Sequence, residues 1–240
     1  MKFLVDRFNF TDGPESAFTI YFSGCNMKCP YCYNYNLMEY YKLDREQVLS
    51  EIESIRQVGP KGNYFNTVKY LILSGGECTI DMDCMMTFIK KGQELGLKIG
   101  LYTNGTNVLL DTILDNKKLI DYFDFISIDY KALLLTQDFY TPKQAKKQMY
   151  NFGILSDSDK RINIRTTLVK QFHNEDVICK MGMYLSSLFD NKDNVKWYLQ
   201  EFKETSNILD PSYTSLSSFI SKEPFIKLIS EKFPSLNIDN

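Results

Sequence analysis

Six short apolar runs alternate with stretches of helical spacing, and this rhythm limits the fold more than any other feature of the chain. The runs cover residues 19–22, 68–73, 97–102, 123–128, 161–169 and 195–202. Each has strand length, and the first four end in Gly, Asn or Asp turn residues. Between them, Asp44 and Gln47 read as a capping box ahead of Val48, Ile52 and Ile55. A helix is predicted over 82–95, with Met82, Met85, Met86 and Ile89 on one face, and a weaker one over 107–116. Thr141-Pro142-Lys143-Gln144 supplies an N-cap, a first-turn proline and a second capping box. Val177, Met181, Tyr184 and Leu188 mark a further helix, and 219–233 the last. Strands separated by helices pair in parallel through right-handed crossovers, so the chain is expected to be α/β.

At 240 residues and 44% apolar content the chain suits a single domain. No linker rich in Pro, Gly or Ser interrupts it, and the βα rhythm is its only repeat. The net charge of −2 gives no basic field for nucleic acid. The opening Met1-Lys2-Phe3-Leu4-Val5-Asp6-Arg7 is charged too early for a signal peptide, and no apolar run approaches the ~20 residues that cross a bilayer. A cytoplasmic protein with no membrane association is expected.

The chemically unusual residues follow the strands. Cys25, Cys29 and Cys32 come after the first, Gly75, Gly76 and Glu77 after the second, Thr103 and Asn104 after the third, and Asp129 and Lys131 after the fourth. Arg165 lies near the end of the fifth, and Gln200 and Lys203 near the end of the sixth. In parallel α/β barrels the C-terminal strand ends build the active site, whereas an open doubly wound sheet concentrates its ligands at one switch point. Contributions from all six strands favour the barrel. Each residue also has an ordinary reading: the glycines and Asn104-Gly105 as turns, Asp129 and Lys131 as a surface pair, Arg165 as a solvated strand end.

The cysteine loop is the strongest of these signals. Its spacing is CxxxCxxC, with Tyr31 before the third cysteine. A [4Fe–4S] cube ordinarily takes four thiolates, so three leave one iron open. With Cys78 or Cys84 the loop could instead form a four-ligand structural zinc site. Otherwise Cys78, Cys84 and Cys179 read as buried thiols. His173, the only histidine, lies in a predicted loop without a partner at ligand spacing and reads as a surface or supporting residue.

These residues together resemble the radical S-adenosylmethionine (SAM) superfamily, over roughly residues 17–203. Asp12-Gly13-Pro14, the run from Ser23 to Tyr33-Asn34, Asp129-Tyr130-Lys131-Ala132, Arg165-Thr166-Thr167 and Leu199-Gln200-Glu201-Phe202 are similar to its glycyl radical enzyme activases, most of all those serving anaerobic ribonucleoside-triphosphate reductase. The resemblance implies a partial (β/α)6 TIM-like barrel in one domain, 1–240, with a C-terminal extension over 204–240. It implies a [4Fe–4S] cluster held by Cys25, Cys29 and Cys32, with SAM chelating the open iron. Glu77 and the Gly75-Gly76 backbone would meet the methionine ammonium, Arg165 its carboxylate, Thr103 and Asn104 the ribose, and Tyr31 the adenine. Asp129 and Lys131 would set charge near the ribose or a substrate peptide. The implied reaction is reductive cleavage of SAM to a 5′-deoxyadenosyl radical that installs a glycyl radical on a partner enzyme, with flavodoxin or ferredoxin as electron donor. The chain departs from the family in having Cys78 where proline is usual and Tyr102 where an acidic residue helps hold a monovalent cation, so no cation is expected. No second cluster motif is present. The alternatives are a radical SAM enzyme acting on a small molecule or peptide, and a non-enzymatic iron–sulfur or zinc module.

Overall fold

The computed structural model describes residues 1–32, 34, 42–55, 68–131 and 141–239; Tyr33 and Ala132 of the sequence motifs lie outside them. The chain divides into two compact units. The first comprises Met1–Asn26, Leu37–Thr103 and Leu110–Ile126, and the second Met27–Asn36, Asn104–Leu109 and Ser127–Asn240.

The first unit opens with strands β1 (Phe3–Asn9) and β2 (Ala17–Phe22), followed by helix α1 (Arg45–Ser54), β3 (Tyr70–Gly75), helix α2 (Met82–Glu94) and β4 (Lys98–Thr103). The strands lie in the order β1-β2-β3-β4. β2, β3 and β4 are parallel, as helical crossovers require, while β1 runs antiparallel along the edge. The six-run reading omits β1, in which only Phe3 is buried. Asp44 caps α1 in the expected box with Gln47. The buried face of α2 is Met85, Phe88, Ile89 and Gly92, so Met82 and Met86 sit beside the core stripe and not within it. Phe3, Phe22 and Phe88 pack edge to face at 5.0–5.9 Å. Each such buried ring contributes roughly 1.5–3 kcal/mol.

The predicted helix over 107–116 is replaced by a hairpin of β5 (Ile113–Leu114) and β6 (Lys117–Lys118). Its two loop residues, Asp115 and Asn116, have φ of 49° and 64°. Positive φ at both central positions marks the turn whose twist suits a two-residue hairpin, and it is incompatible with a helix through the same residues. The next strand, β7 (Phe125–Asp129), is shared by the units, with Phe125 and Ile126 in the first and the remainder in the second.

The second unit continues with helix α3 (Pro142–Ser156), β8 (Arg161–Leu168), helix α4 (Glu175–Phe189), β9 (Val195–Glu201) and the short helices α5 (Ser215–Ser218) and α6 (Glu223–Lys232). β8 and β9 pair in parallel from Ile162↔Val195 to Leu168↔Glu201. Thr141, Pro142 and Gln144 begin α3 in the predicted manner. On α4 the buried stripe is Ile178, Met181, Gly182, Leu185 and Phe189, one position along from the predicted face, with Met181 shared. Gly182 gives α6 room: a methyl there would meet Ile229 Cδ1 at 2.7 Å. The predicted helix over 219–233 is α6, four residues shorter at its start, and the short α5 that precedes it is not predicted by the sequence. Among the described residues no helix is long and apolar enough to cross a membrane.

Candidate functional site

In the first unit, the end of β3 is fastened to the start of the cysteine loop. Gly76 N–H donates to Phe22 O at 2.9 Å and Glu77 N–H to Gly24 O at 2.7 Å. The approach is too close for a side chain. Gly75 has φ +111°, and a Cβ on Gly76 would stand 2.1 Å from Gly24 O and 3.2 Å from Cys25 Cβ. The Gly-Gly pair is therefore demanded by geometry, as L-residues rarely adopt that φ, and it seats the backbone that presents Cys25.

Glu77 follows at once and has no exposure to solvent. Its Oε1 accepts from the Thr79 hydroxyl at 2.6 Å, the Thr79 N–H at 3.3 Å and the Thr103 hydroxyl at 2.7 Å. A buried carboxylate persists only with such polar partners. Burial, and then the charge of Glu77, push the Cys78 thiol well above its usual range. Burial and Asp81 raise Cys84 as well. Cys78 is buried as the sequence reading expects, whereas Cys84 and Cys179 are only half-buried, which corrects that reading. Tyr102, where an acidic residue would serve a cation, packs its ring on Phe125 at 5.9 Å.

In the second unit, Cys29-Pro30-Tyr31-Cys32 forms a β-turn closed by Cys32 N–H to Cys29 O at 3.0 Å. Proline at the second position presets the φ this turn needs, and closure brings Cys29 and Cys32 to its two ends. Tyr31, 4% exposed, joins Met27, Cys29, Val169, Phe202 and Ile208 in an apolar cluster flanked by Phe172 and Tyr213.

Asp129, at the end of β7, bridges two cations. One carboxylate oxygen accepts from Lys131 Nζ and the other from Arg165, each at 2.8 Å. Tyr130 N–H donates to Arg165 O at 2.7 Å, fixing the two strand ends together. Burial pushes the Asp129 carboxyl up, but the charges of Lys131 and Arg165 outweigh it and hold it below the usual carboxylate range. Arg165 therefore reaches the site already paired to Asp129. Lys131 Nζ also lies 6.0 Å from the Tyr31 ring centroid. Asn104 turns its side-chain oxygen onto Thr106 N–H (2.9 Å) and the Thr106 hydroxyl (2.7 Å), as the turn reading of Thr103-Asn104-Gly105 expects.

One supporting residue escapes the sequence reading, and another is placed by it only in part. Gln148, wholly buried on α3, donates to Asn104 O at 2.5 Å and to Asp129 O at 2.9 Å. Its signal was available: a polar residue within the stripe Ala145, Phe152, Leu155. His173 is 2% exposed and belongs to the interior, so the surface half of its reading is corrected. Its Nε2 contacts Lys131 O at 2.7 Å, and its Nδ1 accepts from Val169 N–H at 3.0 Å.

Among the described residues no three His, Cys, Asp or Glu side chains gather about a single metal ion. A [4Fe–4S] cube asks something different, one thiolate on each of several irons. The chemistry of the donors fits it: Cys29 and Cys32 stand at the ends of one turn in the second unit, and Cys25 of the first unit stands on a backbone pinned by two glycines.

Comparison with known proteins agrees. The Radical SAM superfamily model matches residues 19–152. A Methanocaldococcus jannaschii protein that carries the provisional name of a glycyl-radical enzyme activating enzyme is 28% identical, over 80% of each chain. The pyruvate formate-lyase-activating enzyme of Streptococcus mutans is 26% identical, over 76% of this chain and 71% of its own. Among solved structures, QueE from Escherichia coli superposes with a TM-score of 0.52 at 12% identity, covering 99% of this chain and 90% of its own, a likeness of fold. The α/β fold, with the partial (β/α)6 barrel of the family, and the cofactors, a [4Fe–4S] cluster and S-adenosylmethionine, follow from the family match. The match spans more than half of the sequence, and the chain belongs to the Radical SAM superfamily.

Proposed function

We propose that this enzyme is an activase that removes one hydrogen atom from a glycine α-carbon of a partner glycyl radical enzyme. The observation that carries the reading is the Asp129–Lys131–Arg165 ion cluster lying in the same unit as the Cys29–Cys32 turn. The sequence relatives add support. Relatives named as glycyl-radical and pyruvate formate-lyase activating enzymes match 80% and 76% of this chain. The partner proposed first is anaerobic ribonucleoside-triphosphate reductase, on the strength of the Asp12-Gly13-Pro14 and Asp129-Tyr130-Lys131 motifs, with a flavodoxin or ferredoxin as electron donor.

When bound, the cluster and SAM supply one-electron cleavage of a sulfonium and so the means to take that hydrogen atom. The chain's own residues bind and orient. Cys25, Cys29 and Cys32 are the thiolate ligands. Glu77, held by Thr79 and Thr103, accepts from an ammonium, with the Gly75-Gly76 backbone beside it. Asp129 sets the positions of Lys131 and Arg165, whose charges suit a carboxylate or the backbone of an incoming peptide. Thr103, Asn104 and Tyr31 are the residues that would take the nucleoside.

The test is anaerobic. The reconstituted chain with dithionite and SAM is expected to release 5′-deoxyadenosine, and Cys29→Ala to abolish that release together with the cluster. Adding the reductase is expected to give the doublet of a glycyl radical in electron paramagnetic resonance. Release of 5′-deoxyadenosine without a doublet would replace the reductase by another substrate, and unchanged release from Cys29→Ala would overturn the ligand assignment.

A further inference from the structure

Beyond Lys203 the sequence gives no functional signal, yet this stretch reaches the cysteine turn. Leu209 N–H donates to Cys32 O at 3.1 Å, and Asp210 N–H to Pro30 O at 2.9 Å. With the turn's own bond to Cys29 O, three of its four carbonyls are engaged. Ile208, 5% exposed, packs into the cluster that contains Met27, Cys29 and Tyr31. Tyr213 stacks on Phe172 at 6.2 Å with 23° between the rings, and its centroid lies 6.3 Å from that of Tyr31.

The segment is itself held firmly. Asp210 Oδ1 accepts from Ser212 N–H at 2.9 Å, and Asp210 O from Tyr213 N–H. Thr214 caps α5. Ser218, wholly buried, takes Lys170 N–H on its carbonyl and the Gln171 amide on its hydroxyl, so α5 is fastened to the loop leaving β8. A tail that served only to cover apolar surface would have no need to aim two consecutive main-chain N–H groups at the turn between two cysteines.

We infer that residues 208–213 are a clasp that positions the Cys29–Cys32 turn. The clasp rests on the reading of these two cysteines as cluster ligands. Its two hydrogen bonds and the buried Ile208 side chain hold the turn closed, so the thiolates at its ends keep their spacing and the turn opens rarely. Release of either thiolate from its iron would need that opening. Ile208, Leu209 and Asp210 thus act through Cys29 and Cys32 as positioning residues.

The full chain, reconstituted anaerobically with iron and sulfide, tests the clasp through iron content and the rate at which its visible absorbance is lost to an iron chelator. Asp210→Pro removes one N–H together with the carboxylate that accepts from Ser212 N–H, and Ile208→Ala removes the packing without touching the backbone. Ile208→Val is the conservative rescue. Ile229→Ala, in the α4–α6 contact of the same unit, controls for general loosening. Ile208→Ala and Asp210→Pro are expected to lose absorbance roughly tenfold faster than the native chain, the equivalent of one or two hydrogen bonds. Ile208→Val and Ile229→Ala are expected to remain near the native rate. Loss from Ile208→Ala and Asp210→Pro no faster than from Ile229→Ala would overturn the clasp alone, provided Cys29→Ala fails to take up the cluster. A Cys29→Ala chain with native iron content would overturn the ligand reading and the clasp with it.

Discussion

Thr103 donates its hydroxyl hydrogen to Glu77 Oε1 at 2.7 Å, tying the end of β4 to the turn after β3. Thr79 donates twice to the same oxygen, so a charge with no solvent contact keeps one orientation. Thr103→Val conserves shape and removes one donor. It is expected to cost about 1–3 kcal/mol, the penalty for under-satisfying a buried acceptor, and to weaken SAM binding, while Thr103→Ser restores most of both. Denaturant unfolding and calorimetric titration with SAM measure the two effects. A Thr103→Val chain with native stability and native affinity would mean that the hydroxyl is idle.

Gly76→Ala puts a methyl where Gly24 O already stands, at 2.1 Å, and Gly24 is main chain that cannot swing aside as a side chain would. Gly75→Ala adds an L-residue at φ +111°, a strain of about 1–3 kcal/mol before any clash. Both variants are expected to lose more than about 2 kcal/mol and to take up less iron, because the displaced backbone presents Cys25. Unfolding curves and iron analysis decide it; a Gly76→Ala chain within about 0.5 kcal/mol of native would contradict the close approach.

Asp129 neutralises Lys131 and Arg165 at once, with all three side chains at least three-quarters shielded. Asp129→Asn leaves two cations facing one another and is expected to destabilise by about 1.5–3 kcal/mol, the scale of charged hydrogen bonds. Lys131→Met in that background is expected to recover part of the loss, so that a double-mutant cycle gives a coupling of opposite sign to the single losses. Additive effects would mean that the 2.8 Å contacts contribute nothing.

Much of this was legible from the sequence because it rests on local rules. Asp44 and Gln47, and Thr141, Pro142 and Gln144, are capping signals that act within one turn of helix. CxxxCxxC, Gly75-Gly76 and Asp129-x-Lys131 stand directly after apolar runs, and parallel strands with helical crossovers deliver such residues to their C-terminal ends. What escaped depends on distant partners. β1 buries one side chain of seven, so period-two patterning cannot reveal it. Val108, Leu110, Ile113 and Leu114 mimic a helical stripe, and only the Asp115-Asn116 pair, a two-residue turn with positive φ, betrays the hairpin. Ile208 and Asp210 look like loop residues because their partners, Cys29 and Pro30, lie far back in the chain. His173 reads as a surface or supporting residue, and its burial stays hidden because its neighbours Lys131 and Val169 come from two strand ends.

His173 yields the pH dependence. Its Nδ1 accepts from Val169 N–H, so the ring proton sits on Nε2 and is donated to Lys131 O. A second proton would cost Nδ1 its bond from Val169 N–H and leave it the longer contact with Val169 O at 3.1 Å. Burial pushes its pKa below the ordinary histidine value, against the opposing pull of the Lys131 and Val169 carbonyls. With the folded value depressed, the unfolded chain binds the extra proton first, and stability falls as pH falls. The stabilisation is complete above the unfolded pKa of about 6.5 and is lost progressively as pH drops from there through the lower folded value. Asp129, also depressed, adds its own loss only below about pH 4, so the two windows separate. Thermal melts of the native chain between about pH 7 and pH 5 are expected to show a falling midpoint. His173→Gln, which can still donate to Lys131 O but has no proton to take up, is expected to start lower and to show a shallower slope. Parallel slopes in the two chains would assign the acid sensitivity to some other group.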